Sequence, residues 1–135
     1  MQTKTFLFNK IIRDKRFEKM QKNAVHVVAR KLENDEKTEQ FKNKLKEECN
    51  EVVTAQTRTE LLEELADLLE VMRSLATAMD FTIEDIEKTR IEKRKINGGF
   101  DQCIFIEKVT FDESNPSYAY LSSKPEIYPV VEPKY

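Results

Sequence analysis

The stretch LLEELADLLE, residues 61 to 70, decides how this chain folds. Its leucines recur at helical spacing, yet acids are threaded among them. An ideal helix advances about 100° per residue. With Leu61 at zero, Leu61, Leu65, Leu68, Leu69, Met72, Leu75 and Ala76 make one broad apolar face. Glu63 and Glu70 fall near the opposite side, at about 200° and 180°, and a solvated face accounts for both. Glu64 falls at about 300°, between Val71 and Leu75, and Asp67 at about 240°, on the border beside Ala78. Those two acids need a reason.

Working back toward the N-terminus, the segment around KEECNEVV (46 to 53) repeats the pattern. From Phe41 as zero, Leu45, Cys49, Val52 and Ala55 mark an apolar face. Glu48 falls at about 340°, inside that arc, and Glu51 at about 280°, on its edge, while Glu47 lies further out. Between the segments, Thr57-x-x-Glu60 has the form of a capping box, which starts a new helix. A connection that short makes the helices antiparallel neighbours. At equal heights Glu48 then faces Asp67, and Glu51 faces Glu64. Four ionised carboxylates so placed repel one another, and burial raises their pKa values. A hard divalent cation relieves the conflict. Mg²⁺ takes oxygen ligands and keeps open positions, and inward carboxylates on facing helices are a known way to build metal sites. No histidine joins the cluster, which argues against zinc. The competing reading is that the acids are solvated, on helices bent or rotated from the ideal.

Outward from this pair the chain reads as mostly helical. A helix is expected over residues 8 to 22, a second from near Asp35, a third from Thr57 to about Met79, and a fourth from Thr82-x-x-Asp85 toward Gly98 and Gly99, a C-cap. VHVVARKL (25 to 32) and QCIFIEKV (102 to 109) read as short strands that could pair. The fold class is therefore all-α: a small antiparallel helical bundle with room for one minor two-stranded ribbon. The domain spans residues 1 to 106. Residues 107 to 135 form an extended tail that holds every proline and every tyrosine. The tail either wraps over its own domain or a neighbouring subunit, as amphipathic tyrosines do at interfaces, or is disordered.

The totals bound the function. At 135 residues the chain suits one domain with a modest core. Charged residues make up 36% of it, but the net charge is only −2, so no pull toward nucleic acid or an anionic membrane follows. No apolar run reaches membrane-spanning length, and MQTKTFLFNK lacks a signal-peptide pattern, which together suggest the cytoplasm. Cys49 and Cys103 fit no metal or disulfide framework and read as free, buried thiols in a reducing compartment. His26 sits among valines, a setting for packing or exposure rather than catalysis.

At this point a family resemblance emerges. KEECNEVV supplies EExxE at Glu47, Glu48 and Glu51, and after twelve intervening residues ELAD supplies ExxD at Glu64 and Asp67. This resembles the signature of the all-α nucleoside triphosphate pyrophosphohydrolases, the MazG-like superfamily. FNKIIRD (8 to 14) and INGGFDQCIFIE (96 to 107) are similar to its phosphoribosyl-ATP pyrophosphohydrolase-like branch. The resemblance covers roughly residues 6 to 107.

It implies a hydrolase that cleaves between the α and β phosphates of a nucleotide, releasing a monophosphate and pyrophosphate. It also implies Mg²⁺, with Mn²⁺ as a substitute, held by Glu48, Glu51, Glu64 and Asp67. Such a metal neutralises phosphate charge and lowers the pKa of an attacking water; Glu47 or a ligand acid would accept its proton. Lys93 and Arg94, before the glycine pair, are expected to contact phosphate, although basic residues in a last turn also simply complement the helix dipole. Asn9, Lys10 and Arg13 match the N-terminal motif and are expected near the nucleotide or the carboxylates, with a structural counter-ion as the plainer role for Arg13. Relatives often carry Arg where this chain has Asn97, and Pro after RDK where this chain has RFEKM. Phosphoribosyl-ATP and non-standard nucleoside triphosphates both fit as substrates. The apolar surface left by a two-helix cluster implies a homo-oligomer, dimer or tetramer. The alternative is a helical binding or assembly module that kept the fold without turnover.

Overall fold

The computed structural model describes residues 1 to 132. They form five helices: α1 (Asp14–Asn23), α2 (Asn34–Thr54), α3 (Arg58–Ala78), α4 (Ile83–Asn97) and α5 (Pro116–Ser122). The protein is all-α. The described chain divides into one unit spanning Met1–Ile96 and a second from Asn97 onward. Residues 133 to 135 of the expected tail, with Pro133 and Tyr135, lie outside the described residues.

The first unit is organised by α2 and α3, which pack along each other as an antiparallel hairpin. The turn between them is fixed by polar chemistry. Glu60 N–H donates to Thr57 Oγ1 (3.1 Å), while Thr57 N–H and Gln56 N–H donate to Glu60 Oε2 (3.3 and 2.9 Å). This is a complete capping box, and it satisfies donors that the first turn would otherwise leave orphaned. The same device begins α4, where Asp85 N–H donates to Thr82 Oγ1 and Thr82 N–H to Asp85 Oδ2. At its far end Gly98, at φ +80°, takes the left-handed conformation that stops a helix.

Packing turns α3 differently from the idealised wheel. Glu64, Asp67, Val71, Leu75 and Ala78 are all buried or half-buried, at the i, i+3, i+7, i+11, i+14 spacing of one helical stripe. The acids therefore lie in the same stripe as Val71, the residue that is buried. Leu61, Leu62, Leu65 and Leu69 form a neighbouring stripe that the single chain leaves open, each at least 40% exposed. Among the described apolar residues only Val71 and Ala76 are buried. Of the leucines expected to hold the bundle together, Leu68 and Leu75 are half-buried, whereas Leu61, Leu65 and Leu69 are not covered within one chain.

Other expectations are corrected. α1 begins at Asp14 rather than residue 8. Asn9 adopts φ +43° and Arg13 an extended backbone, so residues 7 to 13 run as a strap, and Asp14 opens the helix where its charge suits the N-terminal dipole. Neither 25 to 32 nor 102 to 109 forms a strand, and no strand occurs among the described residues. β-branched residues favour extended backbone, but a strand needs a partner edge to hydrogen-bond it. Val25, Val28, Ile104 and Phe105 are accordingly exposed. Cys49 and Cys103 are free as expected but exposed rather than buried. His26 is exposed as well. The tail is not wholly extended: Asn115 accepts from Ser117 N–H (2.9 Å), Pro116 takes the first helical position, and α5 follows.

The capping box gives a direct check on this hairpin. Thr57→Ala should lower unfolding free energy by about 1 kcal/mol, read from urea denaturation. No loss would mean that the link is held by packing alone.

Candidate active site

Four elements build the site: the second half of α2, the first half of α3, the strap at residues 7 to 13 and the first turn of α1, which brings Arg16. EExxE places Glu48 and Glu51 three residues apart on α2, one turn along a shared face. On α3, Glu64 meets them from across the seam. One carboxylate oxygen from each of Glu48, Glu51 and Glu64 lies within 4.8 Å of the others. Glu48 is only 6% exposed and is the one buried charged residue among those described.

Cations border the cluster. Lys44 Nζ donates to Glu48 Oε1 (2.9 Å) and to Glu47 Oε1 (3.2 Å), and Lys10 Nζ reaches Glu47 Oε1 at 3.1 Å. Arg13 Nη2 donates to Asp67 Oδ1 at 2.6 Å. Asp67, across from Glu48 by register, is thus drawn to the strap instead of joining the other three. Burial works against the ionised form of Glu47, but the hydrogen bonds from Lys10 and Lys44 outweigh it and hold that carboxyl below its ordinary range. Burial also opposes the charge on Lys44, and bonds to Glu48 and Glu47 overcome it, so its ammonium is held above the usual value.

Glu64 behaves in the opposite way. Loss of hydration is the largest influence raising its carboxyl, followed by the hydrogen-bonding proximity and charge of Glu51, then by the charges of Asp67 and Glu48. Its Oε2 atom is buried and has no hydrogen-bond partner. A buried carboxylate oxygen without a partner is costly, and here it faces two further carboxylates. The donor set is all oxygen, anionic and open on one side, which is what a hard divalent cation requires.

Beside the acids lies a cavity of about 490 Å³. Leu7, Phe8 and Ile12 give it an apolar wall, Lys10, Arg13, Arg16 and Lys44 a cationic one, and Glu47, Glu48, Glu51 and Asp67 an acidic floor. Lys10 and Arg13 therefore stand at the site, whereas Asn9, Lys93 and Arg94 do not line the cavity. Lys93 and Arg94 sit in the last turns of α4. Lys44 and Arg16 belong to the site without belonging to the acidic motifs. Lys44 was still legible, since it precedes Glu47 and Glu48 by three and four residues on one helix. The cavity role of Phe8 depends on the strap's path, which no periodicity announces.

With this geometry in place, the chain can be set beside known proteins. The phosphoribosyl-ATP pyrophosphohydrolase family profile matches residues 13–94. The chain belongs to that family. The match takes in α1 to α3 and most of α4, including all five motif acids. Membership in the phosphoribosyl-ATP pyrophosphohydrolase family places the chain among the pyrophosphohydrolases. Neither the curated proteins nor the solved structures contain a match.

The raised Glu64 carboxyl predicts how the metal-free fold responds to pH. Its stabilising, protonated form is fully present below the ordinary glutamate range, about pH 4.3, and is lost as pH rises through the raised value. Glu64→Gln should thus raise the melting temperature of chelator-treated protein at about pH 7.5 and change little at about pH 4. Thermal melts across that range check it. An equal effect at both ends would remove charge repulsion as the cause.

Proposed function

We propose that the chain is a Mg²⁺-dependent nucleotide pyrophosphohydrolase that cleaves the α–β phosphoanhydride of phosphoribosyl-ATP or a nucleoside triphosphate. The observation that carries this reading is the buried, unpartnered Glu64 oxygen, held within reach of Glu48 and Glu51. Glu48, Glu51, Glu64 and Asp67 would hold the cation, with Mn²⁺ able to replace Mg²⁺. Bound there, a divalent cation supplies charge neutralisation at the phosphates and acidifies a nearby water.

The chain's own residues do the rest. Lys10, Arg13, Arg16 and Lys44 offer the cavity's positive wall to the phosphates, and Leu7, Phe8 and Ile12 its apolar wall to the base. Lys93, Arg94 and Asn9, which do not line this cavity, are kept as further candidates for contact with the substrate. In the reaction, water oxygen bonds to the α phosphorus, the bridging bond to the β phosphate breaks, and pyrophosphate leaves. The proton of the attacking water passes to an acid of the seam. Glu47 is the poorer acceptor, because two lysines hold its carboxyl low.

The catalytic domain in this reading spans residues 1 to 106, with 107 to 135 as an accessory tail. The protein acts in the cytoplasm, where its two exposed thiols stay reduced. It works as a homo-oligomer, dimer or tetramer. A stripe of Leu61, Leu62, Leu65 and Leu69 on a helix of the hydrolase unit supports this, since that much adjoining apolar surface calls for cover.

Pyrophosphate release from a panel of phosphoribosyl-ATP and nucleoside triphosphates tests the activity. Glu51→Gln and Asp67→Asn should each lower the rate by at least about a hundredfold, beyond the loss expected for an outer partner of a metal ligand. Release by both variants at the wild-type rate would refute the carboxylate assignment, and no release by any form would favour a binding module. Leu65→Asp should shift the particle mass toward the monomer in light scattering. An unchanged mass would place the contact on another face.

A further inference from the structure

Asp67 and Glu47 are both tied to the strap, and both ties are half-exposed ion pairs. Pairs of that kind are weak and exchange readily. Arg13 engages Asp67 alone, while Lys44 already serves Glu47 and Glu48 from within α2. Without a cation, Arg13 is therefore the positive charge nearest to Asp67 that comes from outside the helix pair. A divalent cation entering among Glu48, Glu51 and Glu64 would both attract Asp67 and repel the guanidinium beside it. The cavity gives Arg13 somewhere else to turn, because it lines the same wall as Lys10 and Arg16.

We propose that Arg13 is a positioning residue that holds Asp67 apart from the other three acids until a divalent cation displaces it. Once released, it turns to the anionic group of the bound ligand. Metal loading and phosphate capture are thereby coupled through one side chain. The proposal rests on reading the four acids as a cation site.

The test uses the full chain, Mn²⁺ without nucleotide, and calorimetry. Arg13→Gln should bind Mn²⁺ about two- to fivefold more tightly than wild type, the worth of an exposed ion pair removed as a competitor. In an Asp67→Asn background the same change should do no more than the loss of one cavity charge does, the effect of Arg16→Gln. Arg16→Gln removes an equal charge from the same cavity but breaks no ion pair among the described residues, so its effect should not depend on Asp67. Equal effects of the Arg13 and Arg16 changes in the wild-type background, or an Arg13 effect that survives Asp67→Asn undiminished, would overturn the proposal and leave the metal site standing. No Mn²⁺ binding by wild type would overturn both. For the second half, AMP is the probe. Arg13→Gln should weaken AMP binding with Mg²⁺ present and leave it unchanged without Mg²⁺. Equal weakening in both conditions would mean that Arg13 is never held by Asp67. Should Arg13→Gln fail to fold, Arg13→Lys, which keeps the charge but loses the guanidinium fork, serves in the same cycle and should show a smaller shift in the same direction.

Discussion

Three carboxylates share the seam where α2 and α3 are pressed together, and the rest of the unit is arranged around their mutual repulsion. Glu48 is buried, Glu64 has an oxygen with no partner, and Glu51 completes the group. Like charges at such distances oppose the packing of the helices that carry them. Opposing that repulsion are a short, fully capped turn, Lys44 from within α2, and two cations delivered by a strap with no regular structure. Each of these is local and weak by itself. Lys44 meets Glu48 itself, while Lys10 and Arg13 neutralise the flanking acids Glu47 and Asp67.

The repulsion also explains why α3 is divided as it is. One stripe holds Glu64, Asp67, Val71, Leu75 and Ala78 against α2, so the acids occupy positions a simple helical hairpin would fill with leucine. Leu61, Leu62, Leu65 and Leu69 lie beside that stripe and remain uncovered. A helix that turns four leucines away from the neighbour it packs on is not optimised for a solitary chain. The first turns of the seam are given to charge and its second half, from Val71 to Ala78, to apolar contact, while Leu61, Leu62, Leu65 and Leu69 are left for whatever meets that face.

Much of this was legible in the sequence, and the failures share one cause. The capping boxes at Thr57 and Thr82 are local chemistry, complete within four residues, and both helices start where those residues demand. The facing of Glu51 and Glu64 followed from helix register and a short turn, two constraints that leave little freedom. Asp67 was placed correctly along α3 and Arg13 was expected near the carboxylates, but which acid it meets was not legible, because Arg13 reaches Asp67 from 54 residues away on an aperiodic strap. The wheel also misjudged which stripe is inside: hydrophobicity alone assigned Leu61 and Leu65 to the interior, whereas packing gave that place to Glu64 and Val71. The strands at 25 to 32 and 102 to 109 failed for a related reason, since β propensity describes a residue's fit to a sheet and cannot supply the sheet. α5 was missed although Asn115-Pro116 is an N-cap followed by a first-turn proline, a signal overlooked in a segment dominated by proline and tyrosine.

The misreading of the leucine stripe bears on function. In a sequence shaped only by stability, local pattern and global packing agree, and a lasting conflict between them marks a place held for another purpose. Here the conflict is sharpest at Glu64. Leucine there would match the neighbouring residues, fill the seam and relieve Glu51, so nothing in the fold requires an acid. An acid at 64 is what the proposed cation site would need. The same reasoning extends outward to Asp67, Arg13 and the strap, whose exchangeable contacts suit a site that must change partners.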